Sequence, residues 1–240
     1  MKTVLITGAN KGIGFETAKQ LAKHDHAVYL GCRDKKKGQR AIEELQSLGL
    51  SRVDMVELDV TNIDSIKQSK RILETKIEKL DVLINNAGIR GDVPQIGSKV
   101  SIDIIRKVFE TNFFGVINVT QEFIPLLNQS ELPIIVNVTS DLGSLSWRSD
   151  PTSNVYLLER AAYGPSKTAL NAFTVALAAE LKDSKFKVNC VNPGHTATDF
   201  NNYMGTKPVD QGASVIVKYA MLNESGPTGK FFSEEGETPW

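Results

Sequence analysis

The sequence predicts an α/β fold built on one doubly wound parallel sheet of about seven strands, with helices on both faces. Three observations predict it. Short apolar runs alternate with amphipathic helical patterns from end to end. The runs Val4-Leu5-Ile6, Val82-Leu83-Ile84 and Ile134-Ile135-Val136 are continuously apolar, as strands covered on both faces are. A glycine-rich turn, Thr7-Gly8-Ala9-Asn10-Lys11-Gly12-Ile13-Gly14, joins the first of these runs to the first helical pattern.

Strands are expected near residues 2–7, 26–32, 52–58, 81–85, 133–139, 186–191 and 229–232. Helices are expected near 12–24, 35–48, 62–79, 101–127, 160–182 and 208–222. The first helix follows from good helix formers with apolar residues at helical spacing over Phe15 to Ala22. Thr61-Asn62-Ile63-Asp64 reads as a helix start with Thr61 as N-cap. Ile66, Leu73, Ile77 and Leu80 then form its core-facing stripe. No composition break, repeat or low-complexity tract divides the chain, so residues 1–240 are expected to form one domain.

Composition narrows the function classes. Hydrophobic residues make up 41% and charged residues 23%, ordinary values for a soluble globular protein. Lys plus Arg and Asp plus Glu both total 28, which gives no basic excess for nucleic acid or an anionic membrane. Lys35-Lys36-Lys37 is the one local basic cluster and reads as a solvated helix face. Cys32 and Cys190 sit in apolar stretches and belong to no Cys/His cluster, so no metal site is expected. With no membrane-length apolar run and a strand starting at residue 2 or 3, the expectation is a soluble cytoplasmic protein without a signal peptide.

In a doubly wound sheet, ligands bind beyond the carboxyl ends of the strands. Beyond the first strand, Gly8, Gly12 and Gly14 let a backbone come close to a ligand, and the helix that follows aims unpaired N–H groups at an anion. The spacing differs from G-x-G-x-x-G, and glycines serve tight turns for steric reasons too. Asn10, Lys11 and Ile13 share the turn. Beyond the second strand comes Arg33, which with Lys11 would bracket the 2′-phosphate of NADP, favouring NADP over NAD. Asp34 reads either as a ribose ligand or as the N-cap of the next helix. Asp59 and Val60 follow the third strand, where a carboxylate would accept the adenine amino group. Asn86, Ala87 and Gly88 follow the fourth, as cofactor contacts or as an ordinary turn. Ser140 follows the fifth, and Pro193, Gly194 and Thr196 follow the sixth, where they would cover a nicotinamide.

Tyr163 and Lys167 stand four residues apart and share a helix face. A free tyrosine, with a pKa of about 10, is a poor acid near neutrality, and a nearby ammonium would lower that value. Pro165 then belongs in the first helical turn. Asn112 lies within an apolar helical pattern and needs a buried partner, such as a water, or marks a local kink.

Thr7-Gly8-x-x-x-Gly12-Ile13-Gly14, Asn85-Asn86-Ala87-Gly88, Asn112, Ser140, Tyr163-x-x-x-Lys167 and Pro193-Gly194 together resemble the classical short-chain dehydrogenase/reductase family, in order and over essentially the whole chain. The glycine turn and the ending Thr228-Gly229-Lys230-Phe231-Phe232 are similar to NADPH-dependent carbonyl reductases. The resemblance implies a Rossmann-type fold and hydride transfer between NADPH and a small-molecule carbonyl substrate, a ketone, aldehyde or quinone. It implies Tyr163 as proton donor and Lys167 as the group that lowers its pKa and binds the nicotinamide ribose. Ser140 would hold the substrate oxygen, and Asn112 would brace a proton-relaying water. The long Asp141–Ala162 segment resembles an insertion of monomeric carbonyl reductases, so a monomer is expected. A non-catalytic NADP-binding sensor or scaffold would be expected to have lost Tyr163 or Lys167, and both are present.

Overall fold

The structure is a computed structural model that describes residues 1–240. In chain order its strands are β1 (Thr3–Thr7), β2 (Ala27–Cys32), β3 (Val53–Glu57), β4 (Val82–Asn85), β5 (Ile134–Val138), β6 (Lys187–Val191), β7 (Phe231–Ser233) and β8 (Gly236–Glu237). The helices are α1 (Gly12–Lys23), α2 (Lys35–Ser47), α3 (Ile63–Glu74), α4 (Ile102–Phe109), α5 (Gly115–Leu127), α6 (Leu145–Ser149), α7 (Tyr163–Glu180) and α8 (Val209–Ala220). The expected parallel sheet is present, with strand order β3-β2-β1-β4-β5-β6-β7-β8. One strand was unforeseen. β8 pairs antiparallel with β7 through Phe232 and Glu237, a two-residue edge strand too short for any periodic pattern to reveal.

The pleat explains the continuous apolar runs. Val4, Ile6, Val82, Ile84, Ile134 and Val136 point to one face, where α1, α2 and α8 supply Leu21, Leu45 and Ile216. Leu5, Leu83 and Ile135 point to the other, against Leu73 of α3, Phe123 of α5 and Leu177 of α7. Each fully buried side chain of this size contributes roughly 1.5–3 kcal/mol through the apolar area removed from water.

Helix starts follow local chemistry. The Asp34 carboxylate accepts from the Lys37 amide at 3.1 Å, which settles Asp34 as the α2 cap. α3 is capped by Asn62 rather than Thr61: the Asn62 side chain accepts from the Asp64 and Ser65 amides, while Thr61 instead hydrogen-bonds Asp59. α3 also stops at Glu74, so Ile77 and Leu80 reach the core from the following loop. The long pattern over 101–127 is helical but interrupted. A single π turn, Glu110–Phe114, separates α4 from α5 and carries Asn112.

The strand order reverses between β1 and β4, one strand running on to β2 and the next to β5. Connections diverge there to opposite sides of the sheet and leave a crevice at the carboxyl ends.

Candidate active site

A cleft of about 820 Å³ opens at that crevice. Gly8, Asn10, Lys11, Gly12, Ile13 and Gly14 line it from the first turn, and Arg33, Asp59 and Val60 from beyond β2 and β3. Asn86, Ala87 and Gly88 enter after β4, and Pro193, Gly194 and Thr196 after β6. Ser140, Tyr163 and Lys167 complete the wall. Asn112 is the one expected site residue that does not line the cleft; it stands fully buried behind it.

The glycine turn is held by its neighbours. Asn86 Nδ2 donates to the carbonyls of Thr7 at 2.9 Å and Gly8 at 3.2 Å. Thr7 Oγ1 accepts from the Asn86 and Ala87 amides, both at 3.0 Å. Gly8 adopts φ +65°, and a Cβ there would lie 2.9 Å from Ala87 Cα. A Cβ at Gly14 would collide with Asn86 Nδ2 and lie 2.8 Å from the Gly8 carbonyl oxygen. α1 has Lys11 at its N-cap position, with no side-chain cap and no acidic residue in its first turn. Asp34, Asn62 and Ser101 cap α2, α3 and α4 with their side chains. The bare start of α1 leaves N–H donors for an anion, so the turn fits a pyrophosphate.

At the adenosine end, Arg33 is exposed and forms no ion pair. Lys11 is already engaged with Asp199, which approaches from the loop after β6. Asp59 spends one carboxylate oxygen on its own turn, accepting from the Thr61 amide at 3.0 Å and the Thr61 hydroxyl at 2.7 Å.

At the other end, Tyr163 opens α7 and Lys167 follows one turn later. Lys167 is buried, donates from Nζ to the Val138 carbonyl at 2.7 Å, and sits 5.9 Å from the centre of the Tyr163 ring. Burial lowers its pKa to about 8, partly offset by the Cys190 thiol. The expected lowering of the Tyr163 pKa by Lys167 is not what the structure holds. Burial, then the Asp141 carboxylate, push the phenol up, and the Ser140 hydroxyl only partly opposes them. Lys167 is pinned to the strand end, so desolvation dominates and Tyr163 stays a neutral phenol. Ser140 Oγ donates to Asp141 Oδ1 at 2.8 Å.

Asn112 needs no water at its side chain. Its Nδ2 donates to the Ile89 carbonyl at 2.9 Å and to Ser166 Oγ at 3.1 Å, and its Oδ1 accepts from the Ile89 amide at 2.8 Å. The π turn is what aims it there, since the extra residue rotates Asn112 out of the α-helical stripe toward the strand ends.

Asp141, Val155, Leu158 and Met204 also line the cleft, from irregular loops that carry no periodic signal to single them out. Phe200 lines the cleft and packs on Tyr163 with ring centroids 5.8 Å apart. Trp147, Tyr156 and Tyr203 do not line it, and Trp240 stacks on Phe231.

Known proteins resemble this chain in sequence and in fold. Residues 2–208 match the family model described as short chain dehydrogenase. Salutaridine reductase of Papaver bracteatum is 31% identical over a 294-residue alignment that covers 97% of this chain and 94% of the relative. (+)-Neomenthol dehydrogenase of Capsicum annuum is 32% identical over 297 residues, covering 95% and 94%. Among solved structures, NADPH-bound carbonyl reductase from chicken fatty liver superimposes with a TM-score of 0.86 at 28% identity, covering 100% of this chain and 99% of the other. A parallel sheet whose crevice gathers the glycine turn, Ser140 and the Tyr163–Lys167 pair, matched by that family model, places the chain in the short-chain dehydrogenase/reductase family of nicotinamide-dependent oxidoreductases.

Proposed function

We propose that this chain reduces a small carbonyl compound with NADPH. The observation that carries the reading is Tyr163 in the cleft wall, one helical turn from Lys167 and beside Ser140, at the far end from the glycine turn. NADPH in the cleft would supply hydride to the carbonyl carbon. Tyr163, held neutral by burial, gives its proton to the carbonyl oxygen as charge develops there. The Lys167 ammonium, 5.9 Å from the ring centre and tied to the Val138 carbonyl, is placed to meet the nicotinamide ribose. Ser140 orients the carbonyl oxygen, and Asn112 fixes the Gly88–Ile89 backbone against α7.

NADP is favoured over NAD because Arg33 carries an unpaired charge at the strand end where a 2′-phosphate would lie, and Lys11 lines the same cleft. The solved carbonyl reductase that superimposes with NADPH bound supports the same choice. Val155, Leu158, Phe200 and Met204 give the substrate end an apolar wall, which suits a ketone, aldehyde or quinone with a hydrophobic body. Asp141 to Ala162 form a 3₁₀ turn, α6 and a loop ahead of α7, a segment that supports a single-chain enzyme. No helix is long and apolar enough to cross a membrane.

The test is a panel of ketones, aldehydes and quinones assayed by NADPH consumption with the wild type and Tyr163→Phe. Turnover by the wild type and its loss in the variant are expected. Equal rates in the two proteins would remove Tyr163 from the chemistry.

A further inference from the structure

The start of α7 is not capped by its own chain neighbours. Ala162 occupies the N-cap position and offers no side-chain hydrogen bond; the Gly164 amide is taken by the Arg160 carbonyl at 2.9 Å, and the Ala162 and Tyr163 amides have no local partner. They are taken from elsewhere. Gln95, on the loop between β4 and α4, accepts from the Ala162 amide at 3.0 Å and the Tyr163 amide at 2.9 Å through the same Oε1. Its Nε2 donates to the carbonyls of Arg90 at 2.8 Å and Asp92 at 3.1 Å. Two bonds accepted and two donated are the full capacity of a carboxamide. Gln95 has no exposed surface, so water is not available to replace any of them.

The two ends of this bridge matter differently. One end holds the backbone of Tyr163 itself. The other holds the segment that leaves Gly88, the residue whose Cβ position lies 3.8 Å from Lys167 Nζ. Main-chain bonds run alongside, from the Ala161 amide to the Gln95 carbonyl at 3.0 Å and from the Gln95 amide to the Glu159 carbonyl at 3.3 Å. Arg90 and Arg160, on the two segments so joined, both line the cleft.

We propose that Gln95 is a positioning residue for the reductase reaction, its carbonyl oxygen setting where the Tyr163 hydroxyl stands and its amide nitrogen holding the Arg90–Asp92 turn that brings Arg90 to the cleft wall. The inference rests on the reductase reading of the site and divides one side chain into two separable jobs. A displacement of about 1 Å at a proton donor is enough to cost on the order of 100-fold in rate, and the buried bridge is what prevents it.

Gln95→Met and Gln95→Glu separate the jobs. Methionine removes both halves; glutamate keeps an acceptor for the two amides and loses the donors to Arg90 and Asp92. Expected for Gln95→Met is a fall in kcat of tenfold or more, on the order of a misplaced proton donor, with the dissociation constant for NADPH within about twofold of wild type. Expected for Gln95→Glu is a kcat several-fold above that of Gln95→Met, with the loss appearing mainly as a raised KM. Amide hydrogen exchange on the same proteins reads the cap without turnover: Ala162 and Tyr163 should lose protection in Gln95→Met and retain it in Gln95→Glu. If Gln95→Met does not fold, Gln95→Asn, one methylene too short for the bridge, takes its place in both measurements. The proposal is overturned if the truncated variant keeps wild-type kcat, if glutamate does no better than it, if NADPH binding falls with turnover, or if the two amides stay protected. A wild type inert toward every carbonyl on the panel would sink the reductase reading alone, and the exchange measurement would then decide the cap.

Discussion

Asn112 Nδ2 lies 3.1 Å from Ser166 Oγ, a hydrogen bond that ties the π turn to α7 one residue before Lys167. The same side chain clamps both the amide and the carbonyl of Ile89, so one buried amide joins the strand-end loop, the long interrupted helix and the helix bearing Tyr163.

Asn112→Ala is therefore expected to destabilise the fold as well as the site. Truncation leaves the Ile89 N–H and C=O without their partner at a half-buried position on the cleft, which costs up to about 1 kcal/mol for each group that water reaches and more where it does not. Chemical denaturation should show a lowered midpoint with an unchanged slope. A midpoint equal to wild type would mean that water or neighbouring groups take over the bonds without loss.

Tyr163→Phe removes one oxygen atom and none of the glycine-turn contacts. Turnover should fall by about 100-fold to 10,000-fold, the range for loss of a general acid. NADPH binding, followed by nucleotide fluorescence, should change little. Loss of nucleotide binding along with turnover would show that the hydroxyl serves the cofactor rather than the carbonyl.

Lys11 and Asp199 form an ion pair across the cleft, with side chains 65% and 38% exposed. A 2′-phosphate must compete with Asp199 for that lysine. Asp199→Asn should tighten NADPH by up to about fivefold, since an exposed pair is worth at most about 1 kcal/mol, and leave NADH binding as it was. Arg33→Asp should reverse the preference toward NADH. A ratio of NADPH to NADH affinity unmoved by both changes would refute the phosphate clamp.

Lys167 makes stability depend on pH in a definite direction. Burial lowers its pKa from 10.5 to about 8 in the folded protein. Between those values the unfolded chain binds a proton that the folded chain does not, so stability rises with pH through that window. Below pH 8 both states are protonated and the penalty of burying the ammonium is fully present. The stability difference between wild type and Lys167→Met should therefore move in favour of the wild type from pH 8 to 10.5. A difference flat across that window would show that the ammonium is not desolvated.

The strands, the helices and most of the cleft were legible in the chain because each rests on local pattern. Continuous apolar runs are what strands buried on two faces require, and Val4, Leu5 and Ile6 do pack alternately into the two cores. Gly8, Gly14 and the Tyr163–Lys167 spacing were legible because their function depends on short-range backbone geometry. The cap of α3 was misplaced by one residue because Thr61 and Asn62 are both good caps, and Asp59 captured Thr61 first. β8 escaped because two residues carry no period.

The sequence by itself determined the sheet, the strand-end turns and the set of residues that meet there, all of which follow from periodicity and from what glycine, proline and buried apolar side chains permit. Only the tertiary structure decided that Asn112 is spent on Ile89 and Ser166, that Asp199 holds Lys11, and that burial rather than Lys167 governs the Tyr163 proton. Hydrogen-bond partners and desolvation are properties of atoms brought together from distant parts of the chain, and no local spacing encodes how far each group has been withdrawn from water.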